Sequence, residues 1–137
     1  MQSEKENIGI SDVAESLELP TLVQAAQEGK CGIVKFLMLK GADINTTRGQ
    51  NCTPLMAAIW GQHEAMVVEL LRHGPIVDWQ DEHGRTSLWW AAHDGSEPIV
   101  VMLLASAEAD PNMLDFQDVS PKAVARTNDH PSSLRML

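Results

Sequence analysis

A block of residues that returns after 33 positions constrains this chain more than any other feature. Thr53-Pro54-Leu55-Met56-Ala57-Ala58 comes back as Thr86-Ser87-Leu88-Trp89-Trp90-Ala91-Ala92, and Gly41 comes back as Gly74, with the same step reaching Ala107. An earlier copy without the Thr-Pro pair runs from Leu22 to Gly29 and continues through Ile33 to Asn45, while a later copy opens at Ser120-Pro121. A unit of this length is one supersecondary element that cannot bury its apolar side alone, so successive copies must stack.

The residues inside each copy specify helices. Thr53 and Thr86 are placed to cap helix starts, and Pro54 has the fixed φ that suits a first helical turn. Leu55 with Ala58, and Leu88 with Ala91 and Ala92, share one face, where small alanines let neighbouring helices approach. Val67, Leu70 and Leu71, then Ile99, Val100, Leu103 and Leu104, recur at helical spacing in a second helix. Gly41 and Gly74 fall where a helix ends in a left-handed residue. The polar, Gly-bearing stretches from Asn45 to Thr53 and from Asp78 to Thr86 suit hairpin loops.

The Thr-Pro-Leu-x-x-Ala, Gly-Ala-Asp-x-Asn and Asp-x-x-Gly-x-Thr motifs stand at matching offsets over residues 20 to 137, and the chain resembles the ankyrin-repeat family. The resemblance implies an all-α solenoid of about three full repeats plus a C-terminal half repeat. Each unit would comprise a β-hairpin-like finger, an inner helix and an outer helix, with fingers and inner helices lining a concave groove. Residues 1–19 match no repeat. There Ser11 to Leu19 reads as a helix capping the open N-terminal end, which divides the chain into a 1–19 leader and a 20–137 repeat domain.

Several residues depart from the family pattern. Arg48 replaces a finger Asp, Asn51 the following Gly, and Gln62 the Gly between two helices, so the first finger and its junction should be less regular. One extra residue between Ala107 and Ser120 predicts a distorted third finger. Lys122 takes a buried Leu position, as suits a solvent-facing terminal unit.

Composition excludes other classes. A net charge of −9 offers no basic stripe for nucleic acid or for an anionic membrane surface. No segment reaches the ~20 apolar residues of a membrane-spanning helix. The N-terminus lacks a signal-peptide profile, and Cys31 and Cys52 are too few for a zinc site. A cytoplasmic or nuclear location is expected. His63, His73, His83, His93 and His130 lie on different elements without metal-ligand spacing, and no GxxxxGK or GxGxxG loop is present. Neither a metal nor a cofactor is therefore expected.

The resemblance places variable, partner-binding positions at the finger tips and just after the Ala-Ala pairs. On this chain these are Trp60, Gln80, Glu82, His83, Arg85, Trp89, His93, Asp94, Phe116 and Asn128, with Gln27, Gly49, Gln50 and Cys52 on the first unit. The expected function is non-catalytic binding of another protein, with Trp60 as anchor. Trp90 is expected in the core, Trp89 towards the finger base and Trp79 partly exposed. Two alternatives remain open. One is a small-molecule or catalytic groove in which His93, Asp94 and His83 perform acid–base chemistry. The other is self-association through exposed apolar residues such as Leu114, Phe116 and Val119.

Overall fold

The computed structural model describes residues 20–106 and 108–137, so the expected capping helix over Ser11 to Leu19 lies outside the described residues. Eight helices follow in four pairs: α1 (Leu22–Gln27) with α2 (Cys31–Leu39), α3 (Pro54–Trp60) with α4 (Glu64–Leu71), α5 (Ser87–Asp94) with α6 (Glu97–Ala105), and α7 (Pro121–Thr127) with α8 (Pro131–Met136). Thr21, Thr53, Thr86 and Ser120 each accept a backbone N–H three residues on, from Gln24, Met56, Trp89 and Ala123. These bonds satisfy donors that every helix start otherwise leaves free. Gly41 and Gly74 take φ of 91° and 65°, as their place after α2 and α4 requires.

The inner helices α1, α3, α5 and α7 pack side by side in order. Ala25, Ala58, Ala91 and Ala125 are fully buried at the same place in each, which allows that approach. Val34, Val67 and Val100 are the matching fully buried residues of the outer helices. Burying each such aliphatic side chain contributes about 1.5–3 kcal/mol. Lys122, in register with Leu88, is exposed on the last pair.

Polar ladders lock the register between units. Asn45 accepts the Ile76 N–H at 2.8 Å, and Asp78 accepts the Asp110 N–H at 3.0 and 3.1 Å. Burial pushes the Asp78 carboxyl up, the Asp110 N–H pulls it down, and the charges of Asp110 and Glu108 push it up again. A raised folded pKa means that ionisation here costs stability as pH rises through the carboxylate range. Asn45 does the same job uncharged. Asp78→Asn should therefore raise Tm by about 1–3 °C at neutral pH, and a fall in the thermal melt would refute this.

The third finger is not distorted. Asp110 accepts the Asn112 N–H at 2.9 Å just as Asp43 accepts that of Asn45, so the extra residue is absorbed between Ser106 and Asp110. Further along, the Asp115 N–H donates to Val119 O and the Asp81 N–H to Arg85 O, both at 3.0 Å. The first finger departs from the pattern only at its tip, where Gly49 and Gln50 sit at φ of 34° and 40°. Asn51 at 60° matches Gly84 and Asp118 at 78° and 64°, and Gln62 at 58° matches Gly29, Gly95 and Asp129, so the junction is as regular as the others. The Arg48–Cys52 bridge in that finger is the one β-type pairing among the described residues.

Candidate functional site

Fingers and inner helices share one face of the stack, and the second finger organises its centre. The Asp81 side chain, 4% exposed, accepts the His83 and Arg85 N–H groups on Oδ1 at 2.9 and 3.0 Å. Its Oδ2 accepts the Trp90 indole N–H at 2.9 Å. This loop holds the Arg85 guanidinium 4.2 Å over the Trp89 ring and 5.3 Å from that of Trp90, a cation–π arrangement. Asp115 of the third finger lies 3.6 Å from Arg85 Nε, an ion pair too long to count as a hydrogen bond.

Trp89 and Trp90 reverse their expected places. Trp89 is the buried one at 4% exposure, because Arg85 covers it and His93 stacks on it at 5.3 Å. Trp90 is half-buried, because its indole N–H is drawn to Asp81. Trp79 is half-buried, with its N–H enclosed and without an acceptor among the described residues. Trp60 meets Trp90 edge-on at 5.3 Å and keeps part of its ring exposed. It forms one wall of an open depression of about 520 Å³, completed by Val23, Gln24 and Gln27 of α1 with Arg48, Gly49, Gln50 and Cys52 of the first finger. Cys52 contributes a neutral wall, since burial and then the nearby Asp81 charge push its thiol up to about 11.

The other predicted residues do not converge on one point. His93 Nδ1 lies 2.9 Å from Asp94 Oδ1, whereas His83 Nε2 pairs with Glu82 at 3.4 Å on the finger. The three groups of the acid–base alternative are thus split between two pairs. Gln80 donates to Gly84 O and Leu114 O, tying the second finger to the third. The Asn128 amide donates to His93 O at 3.1 Å, beside His130 at 2.9 Å. Phe116 covers Gly84 and leaves 69% of its surface exposed, with Leu114 at 45% beside it in the finger. His63 Nε2 lies 2.9 Å from Gln27 O, a hydrogen bond between neighbouring units.

The family pattern described as Ankyrin repeats (3 copies) matches residues 22–115. The chain belongs to the ankyrin-repeat family. Among curated proteins this ankyrin-repeat chain is similar to the Ankyrin repeat and KH domain-containing protein mask-1 of Caenorhabditis elegans, 32% identical over 114 residues, or 82% of this chain and 4% of that protein. It is also similar to the Ankyrin repeat protein nuc-2 of Neurospora crassa, 31% identical over 129 residues, or 93% of this chain and 12% of that one. Protein glp-1 of Caenorhabditis elegans matches at 35% over 108 residues, 72% of this chain and 8% of its own length. The chain therefore spans only a small part of each of these relatives. Ankyrin repeats are a protein-interaction module, and no helix among the described residues is long and apolar enough to cross a membrane.

Sequence reasoning missed Val23, Gln24 and Arg48 as lining residues. The available signal was Arg48 itself, a cation in register with Asp81 and Asp115.

Proposed function

We propose that this ankyrin-repeat chain is a non-catalytic recognition module that takes a segment of another protein in the groove between α1, the first finger and Trp60. One observation carries the reading: a half-buried Trp walls an open depression of about 520 Å³ on the face shared by fingers and inner helices. Tryptophans so placed are enriched among the residues that dominate binding energy. Edge-on packing against Trp90 fixes the ring in advance, which lowers the ordering cost of association. His93, Asp94, Glu82, His83 and Arg85 form the polar continuation of this surface, with Phe116 at its far end. Two free cysteines, Cys31 half-buried and Cys52 buried, support a reducing cytoplasmic or nuclear setting.

Affinity capture from cell extract tests the reading, with circular dichroism to confirm that each variant folds. Trp60→Ala should lose at least tenfold of a captured partner. Leu39→Ala, at the 85% exposed Leu39 of outer helix α2, should retain it. Equal capture by wild type and Trp60→Ala would overturn the assignment.

A further inference from the structure

The depression beside Trp60 is bounded by the one finger that breaks the local rule of the others. Positions 48, 81 and 115 are in register, and in the second and third fingers the residue is an Asp, 4% exposed in each case. Both carboxylates turn inward and hold their loops: Asp81 accepts from His83 and Arg85, and Asp115 from Gln117 and Val119 at 2.8 Å each. Arg48 cannot do this, since a guanidinium has no acceptor. The first finger closes on its backbone alone, with the Arg48 N–H to Cys52 O and the Cys52 N–H to Arg48 O, both at 3.0 Å. Gln50 is held left-handed there, unlike His83 and Gln117 in the same register, at about 1 kcal/mol or more for a residue with a Cβ.

That departure changes what the groove presents. Arg48 is exposed and, among the described residues, is the only charged one lining the depression. A single donor, Nη1, is spent on Thr21 Oγ1 at 3.3 Å, which steadies the guanidinium between the finger and the start of α1. Among the described residues the other donors bond nothing, and they can meet a carboxylate side by side. Around it stand three exposed or groove-facing carboxamides, Gln24, Gln27 and Gln50, able to both give and accept hydrogen bonds. Val23, Cys52 and Trp60 supply the apolar wall. Among the described residues the lining holds no carboxylate. Asp81 stands behind the Cys52 wall with both oxygens engaged by its own loop and Trp90, and charges beyond about 8 Å are largely screened at physiological salt.

We propose that this depression selects an extended, acidic segment of the partner protein. A bulky apolar side chain would rest on Trp60 and Val23, its flanking backbone would bond the three carboxamides, and an adjacent Asp or Glu would pair with Arg48. The proposal rests on the groove reading above and adds the partner's chemistry and Arg48 as the residue that sets it.

Short fluorescent peptide pools, identical except at the positions flanking a central Leu, test it by anisotropy at low and physiological salt. The flanks are Glu in one pool, Gln in the second and Lys in the third. Wild type should prefer the Glu pool over the Gln pool by about threefold to tenfold, less at higher salt. Arg48→Gln should erase the preference, Arg48→Lys should keep part of it, and Arg48→Glu should shift it to the Lys pool. Trp60→Ala should weaken binding to every pool.

Equal binding of the Glu and Gln pools by wild type, a preference that survives Arg48→Gln, or binding to none of the pools would overturn the acidic-segment assignment. The first two leave the groove reading standing. Unchanged binding of all pools by Trp60→Ala would overturn the groove reading itself.

Discussion

Asp81→Ala is expected to lower stability by about 3 kcal/mol, equivalent to a fall in Tm of roughly 10 °C. Three donors converge on this buried carboxylate: the His83 and Arg85 backbone N–H groups and the Trp90 indole N–H. Truncation leaves all three without an acceptor in a site of 4% exposure, and an abandoned donor costs more than the bond itself was worth. The loop also aims Arg85 at Trp89 and Asp115, so the cation–π contact weakens with it. Asp81→Asn keeps an oxygen for the loop but sets an amide N–H against the indole N–H, and should lose about half as much. Urea unfolding followed by tryptophan fluorescence measures both variants. A loss below about 1 kcal/mol for Asp81→Ala would mean that water replaces the carboxylate.

Gly95→Ala is expected to cost about 2–4 kcal/mol, with most of the damage falling on the last helix pair. Gly95 has φ 70°, and an added Cβ would lie 2.4 Å from His130 Nδ1. His130 cannot simply turn aside, because Nε2 bonds His93 O at 2.9 Å and joins α7–α8 to α5. The other joints show the rule at work. Gly29, also left-handed at φ 73°, faces His63, whose ring would lie 2.7 Å from an added Cβ. Gln62 is left-handed too, yet the next unit carries Ser96 in the register of His63, so no imidazole fills the space. Left-handed Gly thus goes with His in the following unit, and a side chain goes with Ser.

The pairing predicts rescue. Adding His130→Ser to Gly95→Ala should recover the steric part of the loss, leaving about 1 kcal/mol for the left-handed Cβ. Hydrogen exchange should show protection lost over residues 121–136 in the single variant while that of α3 and α4 persists, as expected of a stack with nearest-neighbour coupling. Uniform loss along the chain would contradict it. Failure of the double variant to recover would show that the His130 bond to His93, rather than the clash, governs the joint.

The helices and their order were legible because they depend on local chemistry repeated in register. Thr53, Thr86, Pro54 and the alanines at 58 and 91 act within one or two turns of where they stand. Gln62 and Lys122 were readable as departures for the same reason, since a periodic chain shows what each position normally holds. The third finger was misread because an insertion is visible in sequence whereas the place that absorbs it is not. Backbone bonds at Asp110 and Asp115 restored the register, and those bonds reach residues whose spacing alone does not reveal them.

The candidate site was legible only as a set of positions. Which of two adjacent tryptophans is buried depends on Arg85, four residues before Trp89, and on Asp115, 26 residues after it, approaching from separate fingers. The tie of Asn128 to His93 O was not legible, because the contact spans two units. The 33-residue period by itself determined the family, the helix pairs and the shared face, since each follows from local caps and burial that every copy repeats. Tertiary structure alone decided where the groove opens, which charge it shows and which Trp faces it, because these are set by side chains that meet only when successive units stack.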